Sequence, residues 1–142
     1  VRQSADPLAR LQAQTRQRSP FAGLAVEGLP LKLSEGNRLV ALIDTGCPHC
    51  QASVPALNQV TAHAAQFPPL AALCANSAED VAQFQQKFGA QFPLGRIAYA
   101  DFTRLFERGK PPRIFLLRRN AVLKIWDGQI PTEVEVVALL TH

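Results

Sequence analysis

The chain has 142 residues, 47% of them hydrophobic, and a formal net charge of +4, which is enough apolar material for one domain with its own core. Its Lys and Arg residues are scattered, apart from Arg2, Arg10, Arg16 and Arg18 at the start, so no basic stripe of the kind that follows nucleic acid is present. No apolar run approaches the roughly 20 residues needed to cross a bilayer, and the start does not have the apolar centre of a signal peptide.

Taken in chain order, residues 1–18 read as a separate N-terminal arm or tether. Asp6 and Pro7 have the form of an N-cap followed by proline at the first helical position, and the polar run up to Arg18 has only a narrow apolar face. A docked N-terminal helix is the alternative. Residues 19–142 are expected to form the folded domain. Its first part alternates Leu29, Leu31 and Leu33 between the turns Glu27-Gly28 and Glu35-Gly36, which predicts a short β-hairpin. The apolar run Leu39 to Ile43 predicts a core strand, and Asp44-Thr45-Gly46 a turn after it. A helix follows from Pro48, with Val54, Leu57 and Val60 at helical spacing and Pro55 expected to kink it.

Pro68-Pro69 ends that helical segment, and Leu70 to Cys74 reads as a second buried strand. Ser77 with Asp80 predicts a capped helix carrying Val81, Phe84 and Phe88, which stops at Gly89. Phe92 to Tyr99 is expected to be largely extended, and Asp101 to cap a short helix bearing Phe102, Leu105 and Phe106. Two apolar runs, Arg113 to Leu117 and Val122 to Trp126, surround a turn at Arg119-Asn120. Thr132 and Glu135 predict a capping box for a last helix. Strands and helices mixed in this order make an α/β domain.

The chemistry concentrates in Cys47-Pro48-His49-Cys50. Placed between a strand and the start of a helix, the first sulfur meets unpaired backbone N–H groups and the positive end of the helix, both of which favour a thiolate nucleophile. Cys47 is expected to attack and Cys50, one turn further in, to resolve. Pro48 and His49 are expected to tune the pair, since positive charge on His49 would stabilise the Cys47 thiolate and make the disulfide more oxidising. A structural disulfide would not need this placement, and a zinc site would want a second ligand pair, which is missing. Cys74 is read as a small buried hydrophobe, His63 as a surface residue and Trp126 as core.

With these residues in place the chain resembles the thioredoxin-fold proteins over nearly everything after residue 18. The resemblance rests on Cys-x-x-Cys at a helix start, Pro55 inside that helix, and Pro112 before Arg113-Ile114-Phe115-Leu116-Leu117. The stretch from Pro20 to Leu33 and the insertion around Cys74 to Phe88 are more similar to the TlpA-like thiol–disulfide oxidoreductases, while Pro48-His49 is the dipeptide of DsbA-type oxidases. The resemblance implies a thioredoxin-like fold with a mixed central sheet, flanking helices and an N-terminal β-hairpin extension. It also implies exchange of disulfides with protein thiols, a redox partner protein, no cofactor or metal, and an extracytoplasmic home. The absence of Met and the start at Val1 suggest a processed or trimmed product, with any membrane tether N-terminal to Val1.

From the same resemblance Pro112 is expected to be cis and to face the cysteine pair, with Pro111, Pro112 and Arg113 holding substrate. Pro111 has no N–H for main-chain docking, which gives side chains such as Arg113 a larger share. Thioredoxin's proton-shuttling aspartate is replaced by Ala41; Asp44 lies nearer the motif. Asp44 also stands where peroxiredoxins carry Thr or Ser, which argues against peroxidase chemistry. Two other functions stay open: a copper chaperone using Cys47 and Cys50 with His49 or Cys74, and a redox-inactive binding module. Oxidase and reductase directions are both compatible with the residues, because about 30 mV, or 1.4 kcal/mol, moves the balance.

Overall fold

The computed structural model describes residues 19–141; the expected arm over 1–18 and His142 lie outside the described residues. Five strands, β1 (Asn37–Leu42), β2 (Leu70–Cys74), β3 (Leu94–Arg96), β4 (Arg113–Arg118) and β5 (Ala121–Asp127), form one sheet in the order β3-β2-β1-β4-β5. Four helices accompany them: α1 (Pro48–Ala62), α2 (Ala78–Phe88), α3 (Tyr99–Phe106) and α4 (Glu133–Leu140). β1, β2 and β3 are parallel, whereas β4 runs against β1 and β5 against β4. The expected α/β class and mixed sheet are therefore what the chain forms.

Strand alternation divides the core into two layers. Leu39, Ala41, Ile43, Ala72, Cys74, Ile114 and Leu116 pack with Val54 and Leu57 of α1, Phe84 of α2 and Val136 of α4. Val40, Leu42, Leu73, Phe115 and Leu117 point the other way, onto Leu105 of α3 and onto Phe21 and Leu33. Both faces of the central strands are covered, which explains why β1 and β2 read as continuous apolar runs.

Local signals set most element ends. Ser77 accepts from the Asp80 N–H, Gly89 closes α2 in the left-handed region at φ 67°, and Thr132 and Glu135 make the reciprocal capping box of α4. Arg119 and Asn120 take φ values of 47° and 74°, as a tight hairpin turn between β4 and β5 requires. α1 continues through Pro55 as one helix.

Two expectations are corrected. Residues 19–36 contain turns and a single bridge, Glu27 with Arg96, and not a β-hairpin. Leu33 and, in part, Leu29 and Leu31 are instead buried against the second core layer, so the alternation records burial without strand pairing. α3 starts at Tyr99 with Ala98 as its N-cap, and Asp101 lies in its first turn, paired with Arg104 at 3.2 Å. Among the described residues no helix is long and apolar enough to cross a membrane.

Candidate functional site

Parallel pairing of β1 with β2 brings both strands to an end at one edge of the sheet, and antiparallel pairing makes β4 begin there, with Leu42 opposite Arg113. The loop after β1, the loop after β2 and the segment before β4 thus meet at that edge, although they are far apart in sequence. They carry Cys47, Asn76 and the Pro111-Pro112 peptide, which is cis. In an open α/β sheet, this carboxyl edge is where sites form.

Cys47 is the N-cap of α1, with extended backbone (φ −86°, ψ 123°), and Pro48 follows at the start of the helix, where its missing N–H costs nothing. The Cys47 N–H donates to the Asp44 carbonyl, and the Gln51 N–H to the Cys47 carbonyl, each at 3.0 Å. Both Cys47 and Cys50 are free thiols, and they lie 4.1 Å apart. Their exposure differs: Cys47 is half-buried, while Cys50 is 0% exposed within the Val54 and Leu57 layer.

The backbone N–H of Asp44 donates to Cys50 Sγ at 3.4 Å. Burial pushes the Cys50 thiol up from 9.0 to about 12; the Asp44 N–H opposes the rise, and the neighbouring Cys47 adds to it. At neutral pH Cys50 is therefore a protonated thiol under a partly exposed partner sulfur. Cys74, at the end of β2, is 0% exposed in the same layer, and burial pushes its thiol up as well, in keeping with an inert core cysteine.

The loop in front of Cys47 is braced by Asp44 together with Asn76, Gln51 and Arg96, which sequence reasoning did not single out. Asp44 Oδ1 accepts the Gly46 N–H at 2.9 Å, Asn76 Oδ1 accepts the Thr45 N–H at 3.1 Å, and Asn76 Nδ2 donates to Asp44 Oδ1 at 3.4 Å. Gln51 Nε2 donates to the Thr45 carbonyl at 2.9 Å. The Asn76 carbonyl is held in turn by Arg96 Nε at 3.0 Å. Only the position of Asn76 just past an apolar strand, at the carboxyl edge of a parallel pair, could have pointed to it.

Pro48 and His49 are exposed between the two cysteines, and the His49 carbonyl accepts from Ser53 Oγ at 2.7 Å. Pro112 is buried and Pro111 half-buried, and the Pro112 carbonyl accepts the Gly128 N–H at 3.0 Å. Pro112 directly precedes β4, whose Ile114 and Leu116 lie on the face that Cys50 and α1 occupy. Arg113 belongs to the opposite face, with Phe115. It is 8% exposed, donates to the Phe106 carbonyl, lies 3.6 Å from Asp127 Oδ1 and stacks 5.5 Å from the Phe115 ring centroid. Its guanidinium closes the end of α3. Ala41 is fully buried among apolar side chains, and Asp44, whose carboxylate serves the loop, does not stand in for a buried acid. Among the described residues no three His, Cys, Asp or Glu side chains form a set able to hold a metal ion.

Neither family models nor curated protein sequences match the chain; solved structures do. StoA of Bacillus subtilis superposes with a TM-score of 0.62 at 15% identity, covering 84% of this chain and 98% of its own. A secreted Mycobacterium tuberculosis disulfide oxidoreductase, homologous to E. coli DsbE, gives 0.56 at 15% identity over 75% of this chain and 81% of that one. The exposed lipoprotein thioredoxin of Streptococcus pneumoniae gives 0.62 at 11% identity over 77% and 87%. At these identities the shared property is the fold, and that fold is thioredoxin-like.

Proposed function

We propose that the chain is a thiol–disulfide oxidoreductase of TlpA-like type that exchanges disulfides with protein thiols. The observation that carries this reading is the graded pair at the start of α1: two free thiols 4.1 Å apart, one half-buried and one wholly buried. A half-buried sulfur can meet a partner, and a buried one close behind it can displace that partner.

Starting from the dithiol, the Cys47 thiolate attacks one sulfur of a partner disulfide. A Cys47–partner bond forms, the partner's own S–S bond breaks, and its second sulfur leaves as a thiolate. Cys50 then gives up its proton to solvent or to that departing thiolate and attacks Cys47, closing the Cys47–Cys50 disulfide and freeing the partner's other sulfur. Two electrons have passed to the partner, and the reverse sequence oxidises it. The charge on Cys47 that adds to the Cys50 rise disappears once Cys47 is bonded to a partner, so the resolving thiol becomes easier to ionise when it is needed.

In this reading Pro111 and Pro112 shape the groove beside the pair, and the exposed Pro48 and His49 tune it through the helix terminus and the imidazole charge. No cofactor enters the cycle. An extracytoplasmic location, with a membrane tether preceding Val1, is the setting we propose; that one structural neighbour is secreted and another is an exposed lipoprotein supports it.

The test is trapping. Cys50→Ser should arrest the cycle as a stable mixed disulfide through Cys47 that reductant dissolves, and Cys47→Ser should form none. Alkylation of the wild type across a glutathione redox series should show one two-electron transition shared by the two cysteines. Equal exchange activity in Cys47→Ser would overturn the proposal.

A further inference from the structure

The resolving thiol receives one backbone hydrogen bond, from the Asp44 N–H at 3.4 Å, and Asp44 is not held from its own side of the loop alone. Asn76, 32 residues away on the loop after β2, contributes both ends of its amide: its oxygen accepts the Thr45 N–H at 3.1 Å and its nitrogen donates to Asp44 Oδ1 at 3.4 Å. The Thr45 N–H can only donate, which fixes which end of the amide is oxygen. Asn76 is itself anchored, because its carbonyl accepts from Arg96 Nε at 3.0 Å and Arg96 Nη1 lies 3.1 Å from Glu27 Oε2. The backbones of Glu27 and Arg96 also exchange both of their hydrogen bonds, at 2.9 and 2.8 Å. A continuous set of hydrogen bonds thus runs from Glu27 through Arg96 and Asn76 to the loop that points an N–H at Cys50.

We propose that Asn76 is a positioning residue for the resolving thiol: by bracing the 44–46 loop from the β2 side it keeps the Asp44 N–H directed at Cys50 Sγ, and thereby governs the second, intramolecular step of exchange more than the first. This inference rests on the two-step cycle proposed above. An N–H on sulfur stabilises the thiolate that must form on Cys50 before it can attack Cys47. The first attack depends on Cys47, whose place is set by the cap of α1 and by its bond to the Asp44 carbonyl.

The test uses the full chain, reduced, against a nitroaryl disulfide whose released thiolate is coloured. The first attack forms the Cys47–aryl mixed disulfide and releases one coloured thiolate. Resolution by Cys50 closes the Cys47–Cys50 bond and releases the second. Asn76→Ala is expected to slow the second phase roughly tenfold, about the effect of losing one hydrogen bond to an ionised group, and to leave the first within twofold, which also reports that the variant is folded. Its second phase should need a higher pH to reach half its limiting rate. Asn76→Asp keeps an oxygen for the Thr45 N–H but replaces the donor to Asp44 Oδ1 by a second carboxylate oxygen, and it should slow the second phase as well.

A wild-type second phase in Asn76→Ala or in Asn76→Asp would overturn the inference, as would equal slowing of both phases. If the wild type itself gives one coloured thiolate and no second, or none, the two-cysteine cycle is what fails, and the inference falls with it.

Discussion

The thiol of Cys50 makes the stability of the reduced protein depend on alkali in a way that can be isolated. In the unfolded chain this thiol ionises near 9.0, and burial in the folded protein pushes it up to about 12. Between those values the unfolded state gives up its proton while the folded state keeps it, so the contribution is whole below pH 9.0 and is lost as pH rises toward 12. Each pH unit in that window removes up to about 1.36 kcal/mol, which sets a ceiling of roughly 4 kcal/mol for the whole interval. The perturbation is a series of urea unfolding curves from pH 8 to 11 under strong reductant, followed by the fluorescence of Trp126, the only tryptophan. Cys50→Ala run in parallel removes this thiol and leaves the other ionisable side chains in place. The difference between the two proteins should narrow steadily above pH 9. Parallel pH profiles would refute the argument that Cys50 is held neutral by its surroundings.

Three further outcomes are expected. Glu135 is held below its ordinary range first by the Trp126 indole N–H, at 3.0 Å, and then by Thr132; the stability it adds is present above pH 4.5 and lost as pH falls through the lower folded value, and Trp126 emission should report that transition, whereas Glu135→Gln should abolish it. Gly95→Ala places a Cβ 2.6 Å from Val26 Cγ1 and 3.3 Å from Leu29 Cβ, so thermal unfolding should show a loss of about 1–3 kcal/mol; an unchanged melting temperature would mean that the 19–36 segment is not packed on β3. Arg113→Ala should destabilise by roughly 1–3 kcal/mol, because the charge-assisted bond from its guanidinium to the Phe106 carbonyl is lost and that carbonyl keeps only the Gly109 N–H, while both phases of disulfide exchange stay within twofold of wild type; a selective rise in the KM for a protein substrate would show instead that Arg113 helps to dock it.

Chemical identity was strongest where it was local. The pair at 47 and 50, its place between an apolar strand and a helix, the caps at Ser77 and Thr132, the left-handed Gly89 and the turn at Arg119-Asn120 all follow from residues within a few positions of one another. Each involves a backbone group that its near neighbours either satisfy or leave open, so the sequence alone determined them, together with the α/β class.

The tertiary structure decided what depended on pairing and facing. Whether Leu29, Leu31 and Leu33 would find a strand partner turned on β3, which offers a single bridge at Arg96. Which partners Arg113 would meet turned on the alternation of β4, which sends its guanidinium to Asp127 and the Phe106 carbonyl. Asn76 acquired its place only because β1 and β2 run parallel and end together. Register and strand direction are properties of the assembled sheet, and no spacing within the chain encodes which distant amide will arrive beside Asp44.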